Sequence, residues 1–205
     1  MAHDRRTAIP LAVAILSGGE SRRMGTPKAL LPYRGKTFIE HLLEVTRHPR
    51  VGVTRIVLGA HAEEIRQALG GHAADVIVNE NWGQGQLSSI QTAVRSLANV
   101  ATDGLILCPV DHPIVSAALV AKLIEAFDAS GKSIALPTFR GKRGHPLIFR
   151  STLYDELLSA SAEVGARQVV WAHADDIADV ATEEEGVVLN LNDPESLKKL
   201  QSDPT

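Results

Sequence analysis

The chain has 205 residues, of which 44% are hydrophobic and 22% charged, and its formal net charge is −3. This length predicts a single domain over residues 1–205, with a core large enough to fold without disulfides or structural zinc. The negative charge balance argues against nucleic acid as a partner, because a nucleic-acid surface needs a basic excess. The one cysteine, Cys108, excludes a disulfide framework and predicts a cytoplasmic protein with a buried, inert thiol.

The N-terminal region loosely resembles a signal peptide, because Arg5 and Arg6 precede the apolar run IPLAVAIL. The run is short, however, and it leads directly into the polar and basic segment SGGESRRMG. We therefore expect a buried first strand here and no export signal. Elsewhere no stretch approaches the roughly 20 apolar residues that cross a bilayer, so the sequence predicts no membrane association.

Short apolar runs alternate with amphipathic segments along most of the chain. The runs, rich in Val and Ile, predict buried parallel strands at residues 11–16, 56–60, 76–79, 105–110 and 134–137. The segments between them predict helices at residues 38–46, 62–69, 87–98 and 116–129. This alternation indicates a three-layer α/β/α sandwich around a Rossmann-like, mostly parallel sheet.

The C-terminal part of the pattern is less regular. It predicts strands at residues 145–149 and 187–192 and a helix at residues 152–159. A terminal helix is expected at residues 194–200, with Asp193 as its N-cap. In an open α/β sheet the ligand lies beyond the carboxyl ends of the strands, so the segments that follow the strands are the candidates for a site.

The first strand is followed directly by the segment LSGGESRRMGTPKALLP. Gly18 and Gly19 allow the backbone to approach a ligand closely, and their N–H groups can bind phosphate oxygens. Arg23 can clamp a phosphate through two hydrogen bonds, and Lys28 adds a point charge. The glycine spacing fits neither a Walker A loop nor a G-x-G-x-x-G fingerprint, so the segment predicts a phosphate-binding loop of another kind.

Two later segments offer ligands for a divalent metal. In CPVDHP, Asp111 follows the fourth predicted strand, where a carboxylate can hold Mg²⁺ between the protein and a triphosphate. In VLNLNDPESL, Asn190 and Asn192 each carry an amide oxygen, a group that can coordinate Mg²⁺; alternatively the segment caps the last helix. His112 follows the carboxylate and is either a polar loop residue or part of the site.

The segment NENWGQGQLSSIQTAV joins a strand end, a glycine-rich turn and the start of a helix. Asn79 follows the strand, and Gly85 permits a close approach to a base or ribose. Ser89 lies near the helix N-terminus, where unpaired N–H groups favour an anion or a carbonyl oxygen. Trp82 either covers the pocket or lies at the surface, and a capped helix after a turn is the alternative interpretation of the whole segment.

In their order along the chain, and together with GKRGHPLIF, the segments resemble those of the MobA-like nucleotidyltransferases over nearly the whole chain. The first loop matches the family pattern L-[AS]-[AG]-G-x-S-x-R-M-G-x-x-K. The QGxxxS and Gly-His-Pro elements look closest to the molybdenum cofactor cytidylyltransferase branch. The resemblance implies the fold of the nucleotide-diphospho-sugar transferases and Mg²⁺ as the cofactor.

The resemblance also implies a role for each candidate residue. Three residues would be catalytic: Arg23, Lys28 and Asp111. Two would bind the metal, Asp111 and Asn192, and two in the basic loop before a strand would bind the acceptor, Arg143 and His145. The nucleotide would be bound by Leu16, Ser17, Gly18, Gly19, Lys28, Asn79, Gly85 and Ser89.

The family chemistry predicts transfer of CMP from CTP to a small phosphorylated acceptor, molybdopterin, with release of pyrophosphate; a molybdoenzyme would then receive the product. Guanylyl branches tend toward A-G-G in the loop and cytidylyl branches toward A-A-G, whereas this chain has S-G-G. Transfer of GMP from GTP, or use of another phosphate acceptor, is therefore the alternative. A non-catalytic nucleotide-binding or cofactor-insertion protein is a further alternative, although such a protein would not need Arg23, Lys28 and Asp111 together.

Overall fold

The computed structural model describes residues 9–70, 75–192 and 195 of the chain. Its strands are β1 (Leu11–Ser17), β2 (Pro32–Tyr33), β3 (Lys36–Thr37), β4 (Val51–Leu58), β5 (Asp75–Val78), β6 (Gly104–Pro109), β7 (Ile134–Phe139), β8 (Lys142–Arg143), β9 (Leu147–Arg150) and β10 (Ile177–Ala181). Its α-helices are α1 (Phe38–Val45), α2 (Ala62–Leu69), α3 (Gln86–Arg95), α4 (Ala117–Ser130), α5 (Tyr154–Ser159) and α6 (Arg167–Ala172). Short 3₁₀ turns occur at Lys28–Leu30, Trp82–Gln84, Ser151–Leu153 and Glu185–Val188. None of the helices in these residues is long and apolar enough to cross a bilayer.

The main sheet is mixed but mostly parallel. Its strands follow the order β10-β7-β9-β6-β1-β4-β5, and β8 adds a short antiparallel partner to β7. The central pairs β1–β4, β1–β6 and β4–β5 are parallel, as is the edge pair β10–β7. β9 runs antiparallel to both of its neighbours, β6 and β7. The parallel sheet predicted from the buried Val- and Ile-rich runs is thereby confirmed.

The central strand β1 shows why helices cover both faces of the sheet. All seven of its residues are buried, and successive side chains point to opposite faces. Val13 and Ile15 pack with buried residues of α1, α2 and α4 on one face. Ala14 and Leu16 pack with buried residues of α3, α5 and α6 on the other. The structure therefore confirms the three-layer α/β/α sandwich expected from the sequence.

The predicted strand at residues 187–192 is wrong. Glu185–Val188 forms a 3₁₀ turn, and the residues that follow it are not paired with the sheet. Val187 and Leu191 are nevertheless buried in the same core cluster as β1. Their apolar pattern reflects this packing of an irregular segment and not strand pairing. The helix expected at residues 194–200 lies outside the described residues.

The sequence analysis missed the two-residue strands β2, β3 and β8 and also the longer edge strand β10, which pairs in parallel with β7. Only Ile177 and Val180 are buried among its residues, so the segment has little of the apolar character that marks the other strands. The short helix α6 was missed for the same reason, because Val169 is its buried residue and Trp171 is 66% exposed. Local pattern alone does not reveal such half-covered edge elements.

Cys108 lies on β6 and is 1% exposed. Burial in an apolar environment raises the pKa of its thiol to about 12, so the thiolate that would act as a nucleophile is not formed near neutral pH. The prediction of a buried thiol is confirmed, and the raised pKa agrees with the expectation that the thiol is inert.

A cluster of charged side chains joins several elements at the edge of the sheet where the parallel strands begin. Asp103 accepts hydrogen bonds from Arg50 at 2.9 Å and from Arg150 at 3.0 Å. Arg50 also bonds to Asp128 of α4, and Arg150 lies 4.1 Å over the ring of Phe127. Asp103 is thus the shared anion of two guanidinium groups that come from different parts of the chain.

We predict that Asp103→Asn lowers the free energy of unfolding by about 2 kcal/mol without changing activity. The side chains of Asp103, Arg50 and Arg150 are 26%, 14% and 21% exposed, so the loss of the anion is only partly screened by water. Denaturation in urea measures the effect. Asp128→Asn is the matched control, because its side chain is 40% exposed and its loss should cost less than about 1 kcal/mol. Equal effects of the two substitutions would contradict the shared-anion role.

Candidate active site

A cavity of about 230 Å³ opens at the carboxyl ends of the parallel strands β1 and β6, the edge at which open α/β sheets bind ligands. Its wall brings together the residues Leu16, Ser17, Gly18, Gly19, Ser21, Lys28, Trp82, Gly85, Gln86, Ser89, Pro109, Val110 and Asp111. Most of the nucleotide-binding residues proposed from the sequence are in this set. Segments that are far apart in the chain thus form one concave surface.

Lys28 lies at the charged end of this cavity, between Asp111 and Asn192. Its Nζ donates a hydrogen bond to Asn192 Oδ1 and lies 3.9 Å from Asp111 Oδ2. The side chains of Lys28 and Asp111 are only 16% and 23% exposed, so their attraction is weakly screened. The backbone N–H of Leu191 donates to the Asp111 carbonyl at 2.8 Å, which fixes the C-terminal segment next to the end of β6. All three polar groups therefore meet at one point.

The oxygens of Asp111 and Asn192 fit a divalent cation. They already hold one cationic group, the Lys28 ammonium, and carboxylate and amide oxygens are ligands that Mg²⁺ accepts. Among the described residues no cluster of three or more His, Cys, Asp or Glu side chains forms a complete metal cage. A divalent ion at this position would therefore take its remaining ligands from water and from substrate phosphates, as Mg²⁺ commonly does.

The loop after β1 is held in place at its start by the chain that follows β4. The N–H groups of Gly59 and Ala60 donate to the carbonyls of Ser17 and Gly18, each at 3.2 Å. Gly59 must lack a side chain, because a Cβ there would lie 2.4 Å from the Gly18 oxygen. This contact was not foreseen from the sequence, although a glycine directly after a strand was a usable signal.

The middle of the same loop is fixed at two further points. His61 Nε2 donates to the Glu20 carbonyl at 2.9 Å, and Ser21 accepts a hydrogen bond from the Lys28 backbone N–H at 3.1 Å. The two arginines lie outside the cavity wall: Arg22 is 82% exposed and pairs with Glu20, and Arg23 is exposed. Lys28 is therefore the basic residue of this loop that the fold places inside the site, while Arg23 lies on its outer side.

Asn79 is 2% exposed and lies behind the cavity wall. Its amide group donates to the hydroxyls of Ser88 at 2.8 Å and Ser89 at 3.0 Å, and its oxygen accepts from the Asn81 N–H. Ser88 in turn donates to the Gly85 carbonyl at 2.8 Å. Ser89 lines the cavity, and its hydroxyl, which accepts from Asn79, can also donate a hydrogen bond. Asn79 therefore orients Ser89 and does not itself line the cavity, whereas the sequence analysis expected it to contact the nucleotide.

Gly18 lies directly against Ser89. A Cβ at residue 18 would be 2.8 Å from Ser89 Oγ, which is closer than a real contact allows. The Ser89 hydroxyl also accepts a hydrogen bond from Asn79. The Ser89 side chain therefore cannot rotate away from a Cβ at residue 18 without losing that hydrogen bond. The glycine at this position is therefore tied to the serine on α3.

We predict that Gly18→Ala destabilises the fold by about 1–2 kcal/mol through overpacking, and that most of this cost disappears in a Ser89→Ala background. Without the hydroxyl, the nearest neighbours of the new methyl group are Trp82 Cβ at 3.8 Å and Ser89 Cβ at 4.0 Å, which are ordinary contacts. Denaturation of the wild type, both single variants and the double variant gives the coupling free energy directly. Additive effects would show that the two residues do not compete for space.

The two residues proposed for acceptor binding lie apart from the cavity wall and differ in their surroundings. Arg143 on β8 makes two hydrogen bonds to Asp179 of β10, at 2.9 and 2.8 Å, and is half-exposed. His145 packs against His112, with ring centroids 4.5 Å apart. The pKa of His145 is lowered to about 4, mainly by burial and in addition by the neighbouring His112, while Asp111 acts in the opposite direction. His145 is therefore neutral at neutral pH.

The His112–His145 pair lies beside the metal-binding candidate Asp111. Burial also lowers the pKa of His112, despite the nearby carboxylate of Asp111. In both rings Nδ1 is buried and has no hydrogen-bond partner among the described residues. The pair thus connects the Gly-His-Pro loop, through His145, to the segment that carries Asp111, through His112.

The sequence left open whether Trp82 covers the pocket or lies at the surface. In the structure Trp82 lines the cavity and is not simply a surface residue. Ser21 and Gln86 also line the cavity, although the sequence analysis did not propose them as site residues. Both lie within segments that the family resemblance already marked, so only their orientation was missing. Orientation depends on the turns that precede them: Ser21 has φ 53° and Gly85 has φ 96°, both in the left-handed region.

A family model described as the MobA-like NTP transferase domain matches residues 13–177. The matched region runs from β1 into β10 and contains both glycine-rich segments, Asp111 and His145. The chain belongs to the MobA-like NTP transferase family. This MobA-like protein is thus a nucleotidyltransferase, which confirms the enzyme class predicted from its motifs.

Relatives of this MobA-like transferase extend over almost its whole length. A molybdenum cofactor guanylyltransferase of Cereibacter sphaeroides is 31% identical over 193 residues, covering 92% of this chain and 94% of the relative. One from Shewanella sp. (strain ANA-3) is 28% identical over 200 residues, covering 96% and 98%. The crystal structure of Rv0371c from Mycobacterium tuberculosis H37Rv matches with a TM-score of 0.83 at 26% identity, covering 96% of this chain and all of Rv0371c. A complex of Rv0371c with manganese matches with a TM-score of 0.76 at 24% identity, covering 95% of this chain and 100% of that one.

Proposed function

We propose that this MobA-like enzyme transfers a nucleoside monophosphate from a nucleoside triphosphate to the phosphate of molybdopterin and releases pyrophosphate. The observation that carries the proposal is the meeting of Lys28, Asp111 and Asn192 at one end of a cavity whose other walls are glycine-rich. Such a cavity suits a polyphosphate chain at its charged end and a base at its uncharged end. The names of the full-length relatives support molybdopterin as the acceptor, and a molybdoenzyme would receive the product.

In the proposed reaction, the acceptor phosphate attacks the α-phosphorus in line with the departing pyrophosphate. Mg²⁺, when bound by Asp111 and Asn192, would neutralise charge on the phosphate oxygens. The Lys28 ammonium stabilises the negative charge that builds on the leaving group. The backbone of Gly18 and Gly19 lets the nucleotide lie directly on the end of β1. No general base is needed, because a phosphate nucleophile is already ionised at neutral pH.

For the donor nucleotide, GTP is the first candidate. The relatives from Cereibacter sphaeroides and Shewanella described above are both named molybdenum cofactor guanylyltransferases. The local packing agrees with these names. Cytidylyl branches tend to have Ala at the position of Gly18, and the Cβ of an Ala there would lie 2.8 Å from Ser89 Oγ, which is too close. The sequence analysis preferred CTP and gave GTP as the alternative; we therefore now propose GTP first.

CTP is the second candidate, favoured by the turn before α3 and by the Gly-His-Pro loop. These two segments resemble the cytidylyl branch, although the first lines the cavity and the second does not. The Ser89 hydroxyl that faces the cavity can donate to a carbonyl oxygen or ring nitrogen of either base. This hydroxyl alone does not discriminate between them, so a direct comparison is required.

We predict that GTP and CTP, supplied at equal concentrations with Mg²⁺ and molybdopterin, give a product that carries mainly GMP. Mass spectrometry of the product identifies the nucleotide, and pyrophosphate release measures turnover. A hydrogen-bonding pocket leaves buried polar groups unpaired when the wrong base binds, so we expect a ratio of at least about tenfold. A product that carries mainly CMP would move the protein to the cytidylyl branch. Nucleotide binding without pyrophosphate release would favour the non-catalytic alternative.

A further inference from the structure

The C-terminal segment over residues 184–192, here called the strap, lies along the loop that follows β6. Near its end the Leu191 N–H donates to the Asp111 carbonyl at 2.8 Å. At its first residue the Glu184 carboxylate accepts hydrogen bonds from the Ser116 N–H at 3.0 Å and from the Ser116 hydroxyl at 2.6 Å. The strap therefore runs antiparallel to this loop, from the start of α4 back to the carboxyl end of β6.

The middle of the strap lies between two other backbone segments. On one side Gly186 lies directly against the Ile114 carbonyl group, and a Cβ at residue 186 would be 2.6 Å from Ile114 Cβ. On the other side the Val187 carbonyl accepts a hydrogen bond from the His145 N–H at 2.8 Å. A Cβ at residue 144 would collide with the same carbonyl oxygen and lie 2.7 Å from its carbon. The Gly-His-Pro loop thus touches the strap at a position that has no room for a side chain.

The backbone of Gly144 is held in this position. Its N–H donates to the Pro137 carbonyl of β7 at 2.9 Å, and the N–H of the next residue is bonded to Val187. Its φ lies outside the left-handed region, so an alanine there would meet no intrinsic backbone strain. The effect of a side chain at residue 144 therefore falls on the Val187 carbonyl, which must move away together with the strap.

We propose that Gly144 is a positioning residue that acts on Asn192 through the strap. Asn192 is the last residue of the strap, and its side-chain oxygen lies at the charged end of the cavity, where it accepts a hydrogen bond from Lys28. Gly144 itself does not line the cavity. The inference rests on the proposed function, in which Asn192 binds the metal, and it adds a link between the Gly-His-Pro loop and that ligand.

A double-mutant cycle on the rate of pyrophosphate release tests this link. Gly144→Ala should lower kcat about 10- to 100-fold, as loss of a group that orients a metal ligand commonly does. In an Asn192→Ala background the same substitution should cost less than about threefold, because the side chain that it would displace is already absent. Additive losses would overturn the proposal.

Gly104→Ala is the matched control, because it introduces a clash of the same kind away from the strap. Gly104 is the first residue of β6, at the edge of the sheet where the parallel strands begin, and a Cβ there would lie 2.6 Å from the Phe149 carbonyl oxygen. This substitution destabilises the fold without touching the strap. Its effect on the rate should therefore be additive with that of Asn192→Ala.

Hydrogen exchange of the protein without metal or nucleotide gives a readout that does not depend on activity. Gly144→Ala should speed exchange in the strap about tenfold, because the displaced strap protects the Leu191 N–H less well. Gly104→Ala should leave exchange in the strap unchanged relative to the rest of the chain. Unchanged exchange in the strap of Gly144→Ala would overturn the proposal.

Glu184→Ala is the second variant, for use if thermal unfolding shows that Gly144→Ala is not folded. It releases the strap from Ser116, whose side chain still caps α4. Its loss of rate should again be smaller in the Asn192→Ala background, and equal losses in both backgrounds would overturn the proposal. Glu183→Ala is its control, because this neighbouring glutamate is exposed, and it should keep the wild-type rate.

The two measurements separate this inference from the proposed function. Wild-type protein that releases no pyrophosphate would contradict the proposed function alone, and hydrogen exchange in the strap would then decide the inference. Normal turnover by the wild type with additive losses in the double-mutant cycle would contradict the inference alone.

Discussion

Asp111→Asn is expected to lower kcat by about 1000-fold or more while the protein remains folded. The substitution keeps the size of the side chain but removes the only carboxylate that the described residues place in the cavity wall. A metal ligand at the site of charge development contributes several kcal/mol to transition-state stabilisation, and each 1.36 kcal/mol corresponds to a factor of ten in rate. Asn192 supplies an amide oxygen without charge, so it cannot replace the carboxylate.

Pyrophosphate release under saturating substrates measures this effect, and the thermal midpoint reports the fold. Asp155→Asn is the matched control, since Asp155 is an exposed residue in the first turn of α5 and does not line the cavity. Asp111→Asn should have a thermal midpoint close to that of the wild type, because an asparagine side chain of the same size still fits beside Lys28. Retention of more than about a tenth of wild-type activity would show that Asp111 does not hold the catalytic metal.

The sheet and the main part of the cavity were predictable because their signals are contiguous in the sequence. Strands such as β1 and β6 are buried on both faces, so their apolar runs are uninterrupted. The phosphate loop and the turn before α3 each combine glycines with polar residues directly after a strand. Parallel strands bring such strand-end segments to one edge, and the cavity lies there.

What the sequence could not show is how side chains from distant segments share or block one position. Lys28 and Asn192 are 164 positions apart, and their hydrogen bond depends on an irregular segment that the sequence analysis took for a strand. Asn79 has the residue type of a ligand contact but lies behind two serines, because the tight turn after β5 brings α3 back over it. These outcomes follow from packing between segments, for which local periodicity carries no signal.

The basic loop illustrates the same limit for charge. Arg22, Arg23 and Lys28 are equivalent cations in the sequence, and Arg23 and Lys28 were given the same catalytic role. In the structure the Ser21 turn directs both arginines outward, whereas the 3₁₀ turn that begins at Lys28 directs this residue into the cavity. The structure therefore predicts unequal effects of their removal, which the sequence did not.

Lys28→Met is accordingly expected to lower kcat/KM for the nucleoside triphosphate by about 100-fold, with little change in the KM for the acceptor. Loss of one preorganised group that stabilises charge in a transition state costs about 100- to 1000-fold in rate. Arg23→Gln should cost less than about tenfold, because Arg23 is exposed outside the cavity wall. Lys36→Met is the control, because this exposed lysine pairs with Glu44 away from the cavity wall, and it should leave both parameters unchanged. Initial rates with each substrate varied in turn separate the effects on donor and acceptor.

The Lys28→Met substitution also separates a chemical role of the ammonium from a structural one. Loss of the ammonium should slow nucleotidyl transfer while the thermal midpoint stays close to that of the wild type, because Lys28 lines the cavity with its charged group. A purely structural role for Lys28 would instead lower the thermal midpoint together with the rate. A loss confined to acceptor binding would instead place the acceptor, and not the triphosphate, at the charged end of the cavity.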